Sequence, residues 1–298
     1  MLLLAALLPA VELPSTHTGP YPIKVVVTTG MIADAVRQIG GDKVEVDALM
    51  GAGIDPHQYK ATAGDLRKLR GAQLIFHNGL HLEAKIGDLL TRLGKTQPVA
   101  AVTDKLVPAD LISDSEVEGA SDPHVWLDVA LWTKCVQHVS DVLAAYDPEN
   151  AAYYAQRFVV YRVQLDALHG EVKASLAQLP EKRRVLVTAH DAFNYFGRAY
   201  GVRVEGVQGL STLSEAGVRR VNELVALLAE GEVKAVFIES SVSDRHVRAL
   251  LEGAAAQGHT VKLGGELFSD AMGADGTPEG TYLGMVRHNV KTIVEGLR

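Results

Sequence analysis

With 298 residues, 47% of them hydrophobic and 22% charged, the chain is long enough and apolar enough to bury one large core or two ordinary ones. Its net charge of −7, with no basic run longer than Lys182-Arg183-Arg184, excludes the concentrated basic patch of a nucleic-acid binder. One cysteine, Cys135, excludes an intrachain disulfide and a multi-cysteine zinc site, and no run of about 18 apolar residues is present to span a bilayer as a helix.

Residues 1–10 are almost all Leu and Ala and resemble the apolar segment of a secretory signal, with Pro9-Ala10 and the loose stretch to Pro22 as a cleavage zone. Export is therefore expected, although a basic n-region and a cysteine to accept a lipid are missing. From Ile23 the pattern becomes regular. The β-branched run at residues 24–28 reads as a strand buried on both faces. A helix over 31–39 ends at Gly40-Gly41. Strands at 44–50, 73–77 and 98–102 alternate with helices at 62–69 and 82–93, and an acidic loop at 104–122 follows. Such alternation predicts a parallel sheet with right-handed crossovers.

A helix over 128–145 breaks the rhythm. Asp147-Pro148 then reads as an N-cap followed by a first-turn proline. Tyr154, Phe158, Tyr161, Leu165, Leu168, Val172 and Leu176 recur at helical spacing, and no strong breaker occurs before Pro180. The spacing predicts one helix over 149–179, a rod joining two halves. Strands at 184–188, 202–207, 234–239 and 260–263 then alternate with helices at 193–200, 214–229 (Ser214 as N-cap) and 244–257. A final helix starts near Pro278. The fold class is α/β: two lobes, each a four-stranded parallel sheet with flanking helices, joined by one long helix. The divisions are 1–22 (signal-like), 23–146, 147–180 (linking helix) and 181–298.

The triplet Asp-Pro-His occurs twice, at Asp55-Pro56-His57 and Asp122-Pro123-His124. Proline stiffens the backbone that presents each imidazole, which suits coordination chemistry. His57 follows strand two, His124 strand four, His190 ends strand five, and Asp270 follows strand eight. All four lie at or beyond the carboxyl ends of parallel strands, where open α/β sheets bind ligands. If the lobes face one another across a cleft, three imidazoles and a carboxylate converge there, a donor set suited to a divalent first-row metal. His77 with His81 is an alternative pair, which Gly79 opposes. Asp122, Asp128, Asp191 and Glu239 are candidate acceptors for imidazole N–H groups.

Several runs together resemble the metal-receptor family of substrate-binding proteins, and within it the TroA type. They are Gly53-Ile54-Asp55-Pro56-His57-Gln58-Tyr59, Asn78-Gly79-Leu80-His81-Leu82-Glu83, Asp122-Pro123-His124-Val125-Trp126, Thr188-Ala189-His190-Asp191-Ala192-Phe193, Phe237-Ile238-Glu239-Ser240-Ser241 and Leu267-Phe268-Ser269-Asp270-Ala271-Met272-Gly273. The resemblance implies two α/β lobes tied by a long helix, and a monomeric periplasmic or extracytoplasmic receptor. It would deliver Zn2+ or Mn2+, bound as cargo by His57, His124, His190 and Asp270, to the membrane permease of an ABC importer. Many manganese-specific members carry Glu at the position of His190, and many zinc-specific members a His-rich loop where the loop 104–122 has none. Three imidazoles favour Zn2+ by the general affinity order. Two other readings stand beside this one. In the first, a zinc hydrolase uses Glu239 as general base; in the second, a surface adhesion protein holds a structural metal.

Overall fold

The computed structural model describes residues 13–114, 117–214, 216–230 and 233–298. The signal-like run 1–10 lies outside the described residues. Two sheets organise the chain. The first has strands β1 (Ile23–Val27), β2 (Val44–Ala48), β3 (Leu74–His77) and β4 (Val99–Ala101), all parallel, in the order β2-β1-β3-β4. The second has β5 (Val185–His190), β6 (Arg203–Gln208), β7 (Ala235–Glu239) and β8 (Lys262–Leu267), also parallel, in the equivalent order β6-β5-β7-β8.

Both faces of each sheet are covered, which is why the central strands read as unbroken apolar runs. In β1, Val25 and Val27 face a large shared core while Val26 faces a smaller outer cluster with Met50, Leu69 and Leu90. In β5, Leu186 faces the shared core, and Val185 and Val187 pack outward with Leu224, Leu228 and Leu250. The period of two along each strand deals successive side chains to opposite faces.

The shared core runs continuously from Ile23 to Leu297 and is filled by helices α1 (Gly30–Gly40), α4 (Val129–Tyr146), α5 (Ala151–Leu176), α6 (Asn194–Tyr200) and α9 (Tyr282–Leu297). α1 ends where Gly41 takes φ +56°, as the Gly40-Gly41 pair predicts. The long helix is shorter than the 149–179 expected. A 3-10 turn at Pro148–Asn150 precedes a 26-residue α-helix, and the chain tightens into turns after Leu176. Asp147 stands at the N-cap of that turn with Pro148 as its first residue, but its side chain makes no cap bond: its carboxylate accepts hydroxyl protons from Tyr21 and Tyr154. α5 is less a free rod than a shared wall. Its stripe from Tyr154 to Leu176 is buried in the common core, each fully buried Leu contributing about 1.5–3 kcal/mol, while Val159, Val160 and Val163 face outward.

The outer helices are α2 (Ala63–Gly71), α3 (Gly87–Leu93), α7 (Val218–Ala229) and α8 (Arg245–Ala256). Thr62 and Asp65 form a capping box at the start of α2. α3 begins five residues later than the expected 82–93 helix, because Leu80 and His81 adopt left-handed φ of +51° and +62° and a turn follows. α7 starts at Val218 and not at Ser214, whose carbonyl instead accepts from Gln208 Nε2. β8 is later and longer than the expected 260–263. Its Gly264 and Gly265 belong to the strand, and at Gly264 a Cβ would sit 2.5 Å from the Phe237 ring. These glycines mark close packing, not a break.

Candidate metal centre

His190 is the last residue of β5, and Glu239 is the last of the adjacent β7, at the point where the strand order reverses. Asp270 lies three residues past β8, and His57 and His124 lie in the loops beyond β2 and β4. The two sheets aim these ends at one another, and the four side chains meet in a buried cluster, with relative exposures of 2% for His57, 0% for His124 and His190, and 1% for Asp270. Among the described residues no other group of three or more His, Cys, Asp or Glu converges this way.

The Nε2 atoms of His57 and His190 lie 3.3 and 3.4 Å from Nε2 of His124. Asp270 Oδ2 lies 3.5 Å from His57 Nε2 and 3.3 Å from His190 Nε2, and Oδ1 lies 3.4 Å from His124 Nε2. Donors held at about 2.0–2.1 Å around a tetrahedral ion sit roughly 3.3–3.4 Å apart, so the observed spacings match what a first-row coordination shell would require. Both Asp270 oxygens are buried without a hydrogen-bond donor in standard geometry. A buried carboxylate so placed calls for a cation.

Two of the imidazoles are locked by carboxylates. Asp122 Oδ1 accepts from His124 backbone N at 2.9 Å and from its Nδ1 at 2.7 Å. Glu239 does the same for His190, Oε1 accepting from backbone N at 2.8 Å and Oε2 from Nδ1 at 2.6 Å. A carboxylate can only accept, so Nδ1 keeps its proton, and when the ring is neutral the lone pair is on Nε2, which faces the cluster. Asp55 Oδ1 accepts from His57 backbone N at 2.8 Å, so both Asp-Pro-His triplets use the Asp as well as the Pro to set the histidine.

Burial disfavours charge on His124, but Asp122 and Asp270 outweigh it and raise its pKa to about 9. His190, buried likewise, is raised well above its usual value by Glu239 and Asp270. His57 is lowered to about 4, chiefly by burial. Burial would raise Asp270, but the facing His190 and His124 cations hold it well below the carboxylate range.

The other candidates separate cleanly. Asp128 caps α4 through the N–H groups of Ala130 and Leu131 and bonds no imidazole. Asp191 is likewise bonded to no imidazole ring; its carbonyl accepts from Asn194. His77 and His81 do not form a joint site: His77 lies 3.8 Å from Glu83, and His81 points outward. Glu83 instead braces the strained turn, accepting from Thr28, Asn78 N and Gly79 N. Residues with no role assigned from sequence complete the site. Trp126 Nε1 donates to Ser269 O at 2.7 Å, next to Asp270, and Tyr282 donates to Trp126 O at 2.7 Å. Tyr195 donates to Asp122 O at 2.8 Å and Asn194 Nδ2 to Asp122 Oδ2 at 3.2 Å. The helical position of Tyr195 and Tyr282 gave no cue to these bonds, which cross from one lobe to the other.

Two parallel sheets whose carboxyl ends meet over a buried three-imidazole, one-carboxylate cluster define a bilobal α/β protein with a metal-competent centre. Residues 25–296 match the family described as zinc-uptake complex component A, periplasmic (ZnuA), and the chain belongs to that family. It is 50% identical over 273 residues to the zinc-binding protein TroA of Treponema pallidum, covering 92% of this chain and 88% of that one. It is 47% identical over 276 residues to the manganese-binding lipoprotein MntA of Bacillus subtilis, covering 93% and 90%. The solved structure of the periplasmic zinc-binding protein TroA from Treponema pallidum superposes with a TM-score of 0.90 at 48% identity, over 93% of this chain and 99% of that one.

Proposed function

We propose that this protein is an extracytoplasmic substrate-binding protein that captures Zn2+ or Mn2+ through His57, His124, His190 and Asp270 and delivers it to the permease of an ABC importer. The observation that carries the reading is the convergence of four buried donors at coordination spacing around the unpartnered Asp270 carboxylate. The relatives named for zinc and manganese binding support the cargo class. Zn2+ is favoured as the tighter ligand, because three neutral imidazoles sit higher for zinc than for manganese in the affinity order and the donor spacing suits a tetrahedral ion. We take residues 23–146 and 181–298 as the two lobes, 147–180 as the link, and the monomer as the working unit.

The placement of Glu239 favours the receptor over the hydrolase reading: its two oxygens accept from His190 N and Nδ1, on the side of that ring away from the cluster-facing Nε2, a position that orients the ring. The decisive experiment is metal content after purification, followed by Zn2+ and Mn2+ titration of the stripped protein. One exchangeable equivalent, abolished by His190→Ala, is expected. Metal whose removal unfolds the chain would instead show a structural ion, and no bound metal would end the receptor reading.

A further inference from the structure

The cleft is bridged at both edges of the paired sheets, and the two bridges differ in kind. At the β4/β8 edge, Trp126 reaches from the loop after β4 to Ser269 after β8, and Tyr282 of α9 clasps Trp126 from behind; Trp126 and Tyr282 are 1% and 0% exposed. At the opposite β2/β6 edge the bridge is thin. Asp55, in the loop after β2, accepts from Thr212 Oγ1 at 2.6 Å, in the loop after β6, 157 residues along the chain. Gln58 adds only contacts of 3.4 Å to Thr212 O and Oγ1, and is itself exposed.

The same Asp55 carboxylate holds the backbone of His57 at 2.8 Å, and Gln58 donates to its Oδ2 at 3.0 Å. His57 also differs from its partners. His124 and His190 each have a carboxylate on Nδ1, whereas among the described residues His57 Nδ1 makes no hydrogen bond. The ring least restrained by its own lobe therefore belongs to the loop tied across the cleft by a single short bond.

We propose that Thr212 is a positioning residue for metal retention: its hydroxyl, bound to Asp55, latches the His57 loop across the cleft, and the cargo leaves by opening at this β2/β6 edge while the Trp126–Tyr282 edge acts as the pivot. The proposal rests on the receptor reading above. Thr212→Val keeps the shape and removes the donor, leaving one Asp55 oxygen without it. A bond from a hydroxyl to a carboxylate is worth enough to speed release on the order of tenfold. Thr212→Ser restores the donor.

The test is stopped-flow release of Zn2+ from the loaded full-length protein into excess chelator, alongside metal stoichiometry and apo thermal unfolding. Roughly tenfold faster release from Thr212→Val, wild-type release from Thr212→Ser and an unchanged apo Tm are the expected results. Thr212→Ala replaces the valine variant in the same comparison if the latter folds poorly. Equal release rates from variants that still bind one equivalent would overturn the latch alone. Absence of bound Zn2+ in the wild type would overturn the receptor reading as well.

Discussion

Glu239→Gln isolates the role of the carboxylate behind His190. In the wild type, two acceptor oxygens meet two donors, the His190 backbone N–H at 2.8 Å and Nδ1 at 2.6 Å. Glutamine supplies one oxygen and one NH2. If the oxygen stays on the backbone N–H, the NH2 faces Nδ1 and the ring must give up its Nδ1 proton. The neutral ring then carries its proton on Nε2, the atom 3.3 Å from Asp270 that a metal must use. If the oxygen takes Nδ1, the buried backbone N–H is orphaned. Loss of such an outer partner lowers metal affinity roughly 10–100-fold, which corresponds to about 1.4–2.7 kcal/mol. The variant is nearly isosteric, so the lobes should keep their packing. The assay is chelator-competition titration of Zn2+ at fixed pH, with circular dichroism to verify the fold. Wild-type affinity in a folded Glu239→Gln protein would refute the argument that this carboxylate sets the tautomer. The same variant separates the receptor from the hydrolase reading, because an outer partner changes Kd whereas a general base changes turnover.

Four further outcomes are expected. Asp270→Ala should weaken Zn2+ binding by more than the roughly 10–100-fold of an outer partner while leaving the apo protein folded, since no backbone group depends on its oxygens; loss of a cooperative apo unfolding transition would count against this. Metal affinity should fall steadily as pH drops from about 9, because His124 at about 9 and the still-raised His190 must both lose a proton; near neutrality two protons leave per ion, a slope approaching roughly two decades in Kd per pH unit, and a flat Kd between pH 6 and 8 would contradict it. Apo stability follows a different sign. The raised His124 contributes stability that is present below 6.5 and lost as pH rises through about 9, and the lowered His57 contributes stability that is present above 6.5 and lost as pH falls through about 4. The apo Tm should therefore peak near neutrality, measured by calorimetry across pH 4–9. Finally, because α5 is buried against both sheets in one continuous core, apo and loaded protein should differ by less than about 1 Å in a radius of gyration of roughly 19 Å; a larger change in solution scattering would show a loose hinge.

What was legible in the sequence was whatever is written in short range or in periodicity. The β-branched run at Val25–Val27 named a strand covered on both faces, the apolar run at Val185–Val187 named a strand, and the Tyr154-to-Leu176 stripe named the long helix. The position of each candidate donor after a strand placed His57 and His124 at the carboxyl ends of one lobe's strands and His190 and Asp270 at those of the other. Asp122 as the partner of His124 is also local, a bond spanning two residues, although the same triplet at Asp55 makes only the backbone bond. The tertiary structure decided everything that depends on which strands become neighbours. Asp128 and Asp191 stand four and one residues from His124 and His190 but bond no imidazole, whereas Glu239, 49 residues from His190, does so because β5 and β7 pair. Gly264 and Gly265 read as a break but allow β8 to pass against Phe237, a packing that no local signal announces. The cross-cleft bonds of Thr212, Trp126 and Tyr282 belong to the same class. A hydrogen bond between residues a hundred or more positions apart is set by the order of strands and the facing of two sheets, and neither is encoded in the local pattern of the residues that make it.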